Sequence, residues 1–411
     1  MSSSNDLKDL RPSDVRGIAQ LATQATLGVT RVAEGVHQSV WSAMGVSGGK
    51  EPGQTGGITG LVYKSIRAVT QQVGTGVDAV MAGLQPLFEP FEESMPSTPR
   101  REAVLAALNG VMGDRLLAGN NPFATPMTLR YRDEALNWQA LPAMPAASGK
   151  VLLLVHGLCM NDLKRHAEHK GHDIDHGEVL ASALGYTPVY LRYNSGLHIS
   201  QNGRELSAML EQLLTHWPVP IEELTVVAHS MGGLLTRSAV HHGKQEGLSW
   251  PDHLKNMLFL GTPHHGAPLE RVGCWVNAIP DSTPYPRPFA ALGQQRSAGI
   301  TDLRHGQLLD DDWHGRDRFN CNGDHRQHVP LPEAVACYTV AATTADKRSA
   351  LADHLLGDGP VPLNSALGQH GDAQQELLFE EEAQWIAYGT KHLELLSSRE
   401  VSRQIVRWLK P

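Results

Sequence analysis

Cysteine is scarce in this chain. Its four cysteines, Cys159, Cys274, Cys321 and Cys337, are scattered, and no two form a C-x-x-C pair. That spacing indicates neither a disulfide framework nor a zinc knuckle. Cys274 and Cys321 share one long insertion and could pair in an exported protein; reduced thiols are the expectation. Long apolar runs are also missing, none reaching the roughly 18 residues of a membrane span. The opening Met1–Leu10 has neither a basic n-region nor an apolar h-region, so a cytoplasmic protein without a standard secretory signal is expected, at most peripheral on a membrane or lipid body. A long basic run is lacking and net charge is −8, which argues against nucleic acid as a partner. What is present in quantity is apolar residue, 41% of 411, ample for a sizeable core and too long for one minimal domain.

Residues 1–126 read as a helical extension. Ile18, Leu21, Ala25, Val29, Val32, Val36 and Val40 recur at steps of three and four, as do Ile58, Val62, Ile66, Val69, Val73, Val77, Val80 and Leu84. Both series predict amphipathic helices with stepping close to an 11-residue repeat. A shift of 41 residues aligns Leu21 with Val62 and Val32 with Val73, a weak internal repeat that suggests a helical hairpin. The Gly-rich stretch between them is a loop by composition. Pro86 to Pro99 reads as a linker, and Arg100 to Leu117 as a further helix. The apolar faces suit packing on the main domain or on a second copy. They also suit a lipid surface reached through residues 15–85, although few Lys or Arg flank them.

From residue 127 the pattern changes. Met127–Arg132 and Leu136–Gln139 predict a short antiparallel pair. Apolar strands follow at Val151–Val155, Pro188–Arg192, Leu224–Val227, Asn256–Leu260, Val335–Ala341 and Gln384–Tyr388. Helices are expected over His172–Leu184, Gly203–His216, Leu234–His241 and Arg399–Leu409. Apolar strands alternating with helices give an α/β domain over 127–411 with a mostly parallel, doubly wound sheet. In such sheets, sites form at the carboxyl ends of the strands. The segment 264–332 is too long for a plain crossover and reads as a cap insertion.

The densest chemical signal is Ala228-His-Ser-Met-Gly-Gly233, directly after the Leu224 strand and before a helix. A serine hydroxyl needs a base to become a nucleophile. A tight strand-to-helix turn exposes that hydroxyl and places backbone N–H groups where negative charge develops. The positions two before and two after Ser230 must be small, and they are Ala228 and Gly232; the G-x-S-x-G pattern has Gly in the first place. The base and its orienting acid should follow late strands, acid first. His392 is the one histidine after the last strand. Asp358, between Gly357 and Gly359, is the preferred acid, with Asp346, Asp353 and Asp310–Asp312 as rivals. The oxyanion donors are assigned to Met231 and, in the loop His156-Gly-Leu-Cys, to Leu158, with Cys159 as the second choice. His156, Gly157, Cys159 and His229 are expected to contact substrate.

Ala228-His-Ser-Met-Gly-Gly233, His156-Gly-Leu158, Gly261-Thr-Pro-His264 and Gly357-Asp-Gly-x-Val361 together resemble α/β-hydrolases of the lipase/esterase kind, including bacterial lipases and GPI inositol-deacylase-like hydrolases. The resemblance spans roughly 127–411. It implies an α/β-hydrolase fold, a Ser230–Asp358–His392 triad, a Leu158/Met231 oxyanion hole and a hydrophobic ester as substrate, with no cofactor. The same residues would serve an acyltransferase, a thioesterase or an intracellular polyester depolymerase. A non-catalytic lipid-surface protein on this scaffold is the reading from another class.

No metal is expected. The acidic stretch Leu308–Arg318 reads as a solvated loop rather than a Ca²⁺ site. The cluster His166, His169, His172, Asp173, Asp175 and His176 reads as a polar face rather than a zinc site. Oligomeric state is not set by the sequence.

Overall fold

The computed structural model describes residues 11–43, 55, 57–94, 98–141, 147–163, 168–169, 172–267, 296–317, 324–345 and 358–410. They fall in two compact units, one containing residues 11–98 with Leu116–Ala124, the other Pro99–Arg115 and the chain from Thr125 on.

In the first unit, helices α1 (Pro12–Ala43) and α2 (Gly57–Ser94) pair as a hairpin. The seam between them is polar. Arg16 Nε donates to Asp78 Oδ1 at 2.8 Å and Gln20 Nε2 donates to the same oxygen at 2.6 Å. Arg67 pairs with Glu34, which also accepts from Thr55 N–H and hydroxyl at 3.1 Å. Gly74 permits the approach, because a Cβ there would lie 2.3 Å from Thr23 Cγ2. The valine stripe of α2, one position before these seam residues, is therefore turned about 100° away from α1. Val62, Ile66, Val69, Val73, Val77, Val80 and Leu84 are 38–62% exposed. The linker expected from Pro86 is instead the end of α2, which runs through Pro86 and Pro90 to Ser94. A proline's φ near −65° is itself helical, and each proline removes only one bond from a long ladder. No described helix is long and apolar enough to cross a membrane.

The second unit is built on an eight-stranded sheet. Its strands are β1 (Thr128–Tyr131), β2 (Glu134–Ala135), β3 (Lys150–Val155), β6 (Thr187–Arg192), β7 (Glu223–His229), β8 (Leu254–Leu260), β9 (Ala336–Thr343) and β10 (Gln384–Tyr388). β4 (Glu168–His169) and β5 (His172–Asp173) form a separate hairpin. The sheet order is β10-β9-β8-β7-β3-β6-β1-β2; β1 is antiparallel to both its neighbours, and every other pairing is parallel. β2 lies upstream of the expected Leu136–Gln139. The turn residues Arg132 and Asp133 have φ of 49° and 69°, the sign a tight two-residue hairpin loop demands, so pairing resumes at Glu134.

Strand alternation sorts the core into two faces. Val151, Leu153, Val155, Val226, Ala228, Met257 and Phe259 join one cluster with residues of helices α5 (Ile199–His216) and α6 (Met231–Gln245). Leu152, Val227, Leu258 and Leu260 join the other, with Leu180 of α4 (His176–Leu184) and Val401 and Ile405 of α7 (Arg399–Leu409). Each such Val or Leu contributes about 1.5–3 kcal/mol by leaving water. α4 begins at His176 rather than at His172, because Asp175 is its N-cap, accepting from Gly177 N–H at 2.7 Å.

Helix α3 (Pro99–Ala118) contributes Pro99–Arg115 to this unit. Glu102 accepts from Arg192 Nη1 at 2.7 Å, and Arg192 and Arg130 each place Nε on the buried Asp162 at 2.6 and 2.9 Å. The described parts of the insertion 264–332 are tied to the same body. Ile199 N–H donates to Asp302 at 2.8 Å, Ser238 Oγ to Leu308 O at 2.7 Å, and Arg237 to Val329 O.

Candidate active site

Ser230 stands between β7 and α6 with φ 55° and ψ −125°. A non-glycine residue in that region costs on the order of 1–3 kcal/mol and persists only where its surroundings impose it. Here the surroundings are tight. Ser230 N–H is held by Leu260 O at 2.8 Å. A Cβ on Gly232 would lie 2.6 Å from His156 O, and one on Gly157 would lie 2.9 Å from Ser230 Cβ. Ala228 is fully buried. The small residues read from the sequence as a cramped turn are thus the ones that let β3, β7 and the 156–159 loop converge. Ser230 is itself fully buried, and its Oγ has no hydrogen-bond partner among the described residues.

Asp358 and His392 come together at the same strand ends. His392 opens a 3₁₀ turn, His392–Leu396, after β10. Its Nδ1 forms a hydrogen bond with Asp358 Oδ2, and its backbone N–H reaches Asp358 O at 3.4 Å. The second carboxylate oxygen, Oδ1, accepts from Val361 N–H at 3.0 Å. Asp358 is thereby fixed from both sides, and Nδ1–H toward the carboxylate leaves Nε2 as the basic nitrogen. Gly261, φ 58°, gives the imidazole room, since a Cβ there would lie 3.0 Å from His392 Cε1.

Asp310 and Asp312, two of the rival acids, stand elsewhere. Asp310 accepts from Ser200 Oγ at 2.7 Å and pairs with Arg204. Asp312 accepts from Leu308 and Leu309 N–H at 2.8 and 2.9 Å and from Gln327 N–H at 2.8 Å. Asp346, Asp353, Cys274, Cys321 and His166 lie outside the described residues, while His169, His172 and Asp173 stand in the β4–β5 hairpin.

The loop after β3 holds the remaining candidates. Leu158 and Met231 are buried next to the elbow. Cys159, φ 58°, donates its N–H to Ser195 Oγ at 3.1 Å. Tyr193 stacks on His156 at 4.3 Å between ring centroids and donates its hydroxyl to His156 O at 2.9 Å. Tyr193 and Ser195 thus support the loop from the end of β6. Sequence reasoning passed over both, although their place just beyond a parallel strand was a usable signal. His156 Nδ1 approaches Gly157 O at 2.9 Å. His229, expected against substrate, is buried, with Nε2 3.1 Å from His392 O. A cavity of about 50 Å³ lies under the strand ends beside His156, His229, Met160 and Leu396, room for a water or two.

Comparison with known proteins gives one family match: residues 146–320 fit the PGAP1-like alpha/beta domain. Together with the sheet order, it identifies the fold as that of an α/β-hydrolase. No curated protein matches the chain. Among solved structures, Bacillus licheniformis lipase BlEst2 in mature form aligns at 16% identity and TM-score 0.42, covering 70% of this chain and 100% of that one. Aspergillus fumigatus lipase B aligns at 11% and 0.37, covering 68% and 55%. Pyrococcus furiosus esterase Pf2001 aligns at 14% and 0.35, covering 64% and 81%.

Proposed function

We propose that this chain is a serine hydrolase that cleaves carboxylic esters of hydrophobic acyl groups through an acyl-enzyme. The observation that carries the reading is the buried Asp358–His392 pair at the strand ends where Ser230 is held in a strained turn. His392 Nε2 takes the Ser230 proton as Oγ adds to the ester carbonyl. The Leu158 and Met231 N–H groups face the resulting oxyanion, and the leaving alcohol departs with the proton from His392. Water then attacks the acyl-enzyme, again deprotonated by His392, and releases the acid. Asp358 holds the imidazole tautomer throughout and does not itself take the proton.

The preference for a hydrophobic, water-insoluble ester draws support from the first unit. A hairpin with a polar seam and an outward valine stripe presents apolar surface to whatever it meets. We assign that stripe to peripheral contact with an uncharged lipid surface, since Lys64 is the one exposed basic residue among the described residues of α2. The insertion 264–332 is assigned as the cover over the acyl site. Turnover of p-nitrophenyl esters of increasing chain length tests the substrate class. Rates that rise toward long chains support it, and activity confined to acetate and butyrate would keep the serine chemistry while removing the lipid reading.

A further inference from the structure

Two buried imidazoles take no part in the chemistry above, yet both reach the turn that carries His392. His229 Nε2 lies 3.1 Å from His392 O. His176 Nε2 lies 2.7 Å from Leu395 O, at the far end of the same turn, and its Nδ1 lies 2.7 Å from Ser402 Oγ. A carbonyl oxygen only accepts, so each ring carries its proton on Nε2 and donates it to main chain.

We infer that His229 is a positioning residue for the hydrolysis, its Nε2–H bond to the His392 carbonyl setting the distance between Ser230 and the imidazole of His392. The inference rests on the serine-hydrolase reading. His229 is the residue immediately before Ser230, and the Ser230 backbone is tied to β8, its N–H being bonded to Leu260 O. Whatever is fixed to His229 is therefore fixed to the nucleophile. His392, by contrast, heads a single 3₁₀ turn, a short element. Its backbone N–H is held only at 3.4 Å by Asp358 O, which leaves the carbonyl bond as the shorter of these two main-chain ties. The rings of His229 and His392 also pack at 4.6 Å between centroids. Gly157 gives the His229 ring its room, since a Cβ there would lie 3.1 Å from His229 Nδ1. His176 anchors the other end of the turn to α4 and, through Ser402, to α7. A misplacement of about 1 Å in a proton-transfer pair costs about 10²-fold in rate, so a donor this close to both partners acts on kcat.

The test uses the full chain with His229→Phe, which keeps ring volume and removes the donor, and His229→Gln, whose amide nitrogen falls near Nε2. Initial rates on a soluble p-nitrophenyl ester give kcat and KM, and circular dichroism gives Tm. His229→Phe is expected to lose between about tenfold and about a hundredfold in kcat with KM within about twofold, and His229→Gln to recover kcat to within about threefold of wild type. Unchanged kcat in His229→Phe, or a Gln variant as slow as the Phe variant, overturns the inference. If His229→Phe does not fold, His229→Asn, whose donor stops short of the carbonyl, takes its place with the same expectations. Wild type without turnover or fluorophosphonate labelling would remove the hydrolase reading and this inference together. An active wild type indifferent to His229 removes the inference alone.

Discussion

Asp358 Oδ2 and His392 Nδ1 share a hydrogen bond out of contact with solvent, the two side chains being 1% and 5% exposed. A carboxylate in that position has one partner worth its desolvation, an imidazole that becomes cationic during reaction. Asp358→Asn keeps the shape and the Val361 contact but favours the wrong tautomer of His392. It is expected to lower kcat by about 10⁴-fold with little change in KM, read from steady-state ester hydrolysis. A loss under about tenfold would mean that another acid orients His392.

Stability should fall on acidification. Burial lowers the pKa of His176, holds His264 well below the usual histidine range, and brings His265 down to about 4. The unfolded chain protonates these residues near pH 6.5. Between that value and about 4 the unfolded state binds more protons, so their stabilisation is complete above pH 6.5 and is lost as pH falls toward 4. Asp302 and Glu205, raised by burial, act in the opposite sense in the carboxylate range. Urea midpoints at pH 7.5, 6 and 5 should decline in that order, and His265→Gln should flatten the decline. A flat profile from pH 7.5 to 5 would contradict the assignment.

Much of this was legible beforehand, for identifiable reasons. β10 and α7 begin and end where periodicity placed them, because an apolar strand and an amphipathic helix carry their own boundaries. The elbow at Ser230 was legible because only small residues tolerate it. The bond from His229 to the His392 carbonyl was not read from the sequence, which placed His229 against substrate. Strand alternation held the better clue: His229 has the parity of Val227, which points to the face occupied by Leu395. The hairpin seam was hidden for a different reason. Helical periodicity finds the apolar stripe of α2 but does not reveal that Arg16, Glu34, Arg67 and Asp78 pair across the inside. Such pairs join residues far apart in sequence, which no local pattern reports.

The valine stripe leads to a separable expectation. Val69→Glu combined with Val73→Glu adds two charges to an exposed face without touching the α1 seam. Turnover of a short soluble ester should stay within about twofold of wild type, whereas sedimentation with zwitterionic phosphatidylcholine vesicles should fall by about tenfold or more. Equal vesicle binding by both proteins would remove the stripe from the account.

The central claim is that Ser230 is the nucleophile, and covalent labelling reads it directly. Wild type and Ser230→Ala are incubated with a fluorophosphonate, digested and analysed by mass spectrometry. The account predicts one adduct per chain, on the peptide containing Ser230, absent from Ser230→Ala together with ester turnover. An adduct on a different serine, or full ester turnover by Ser230→Ala, would contradict it.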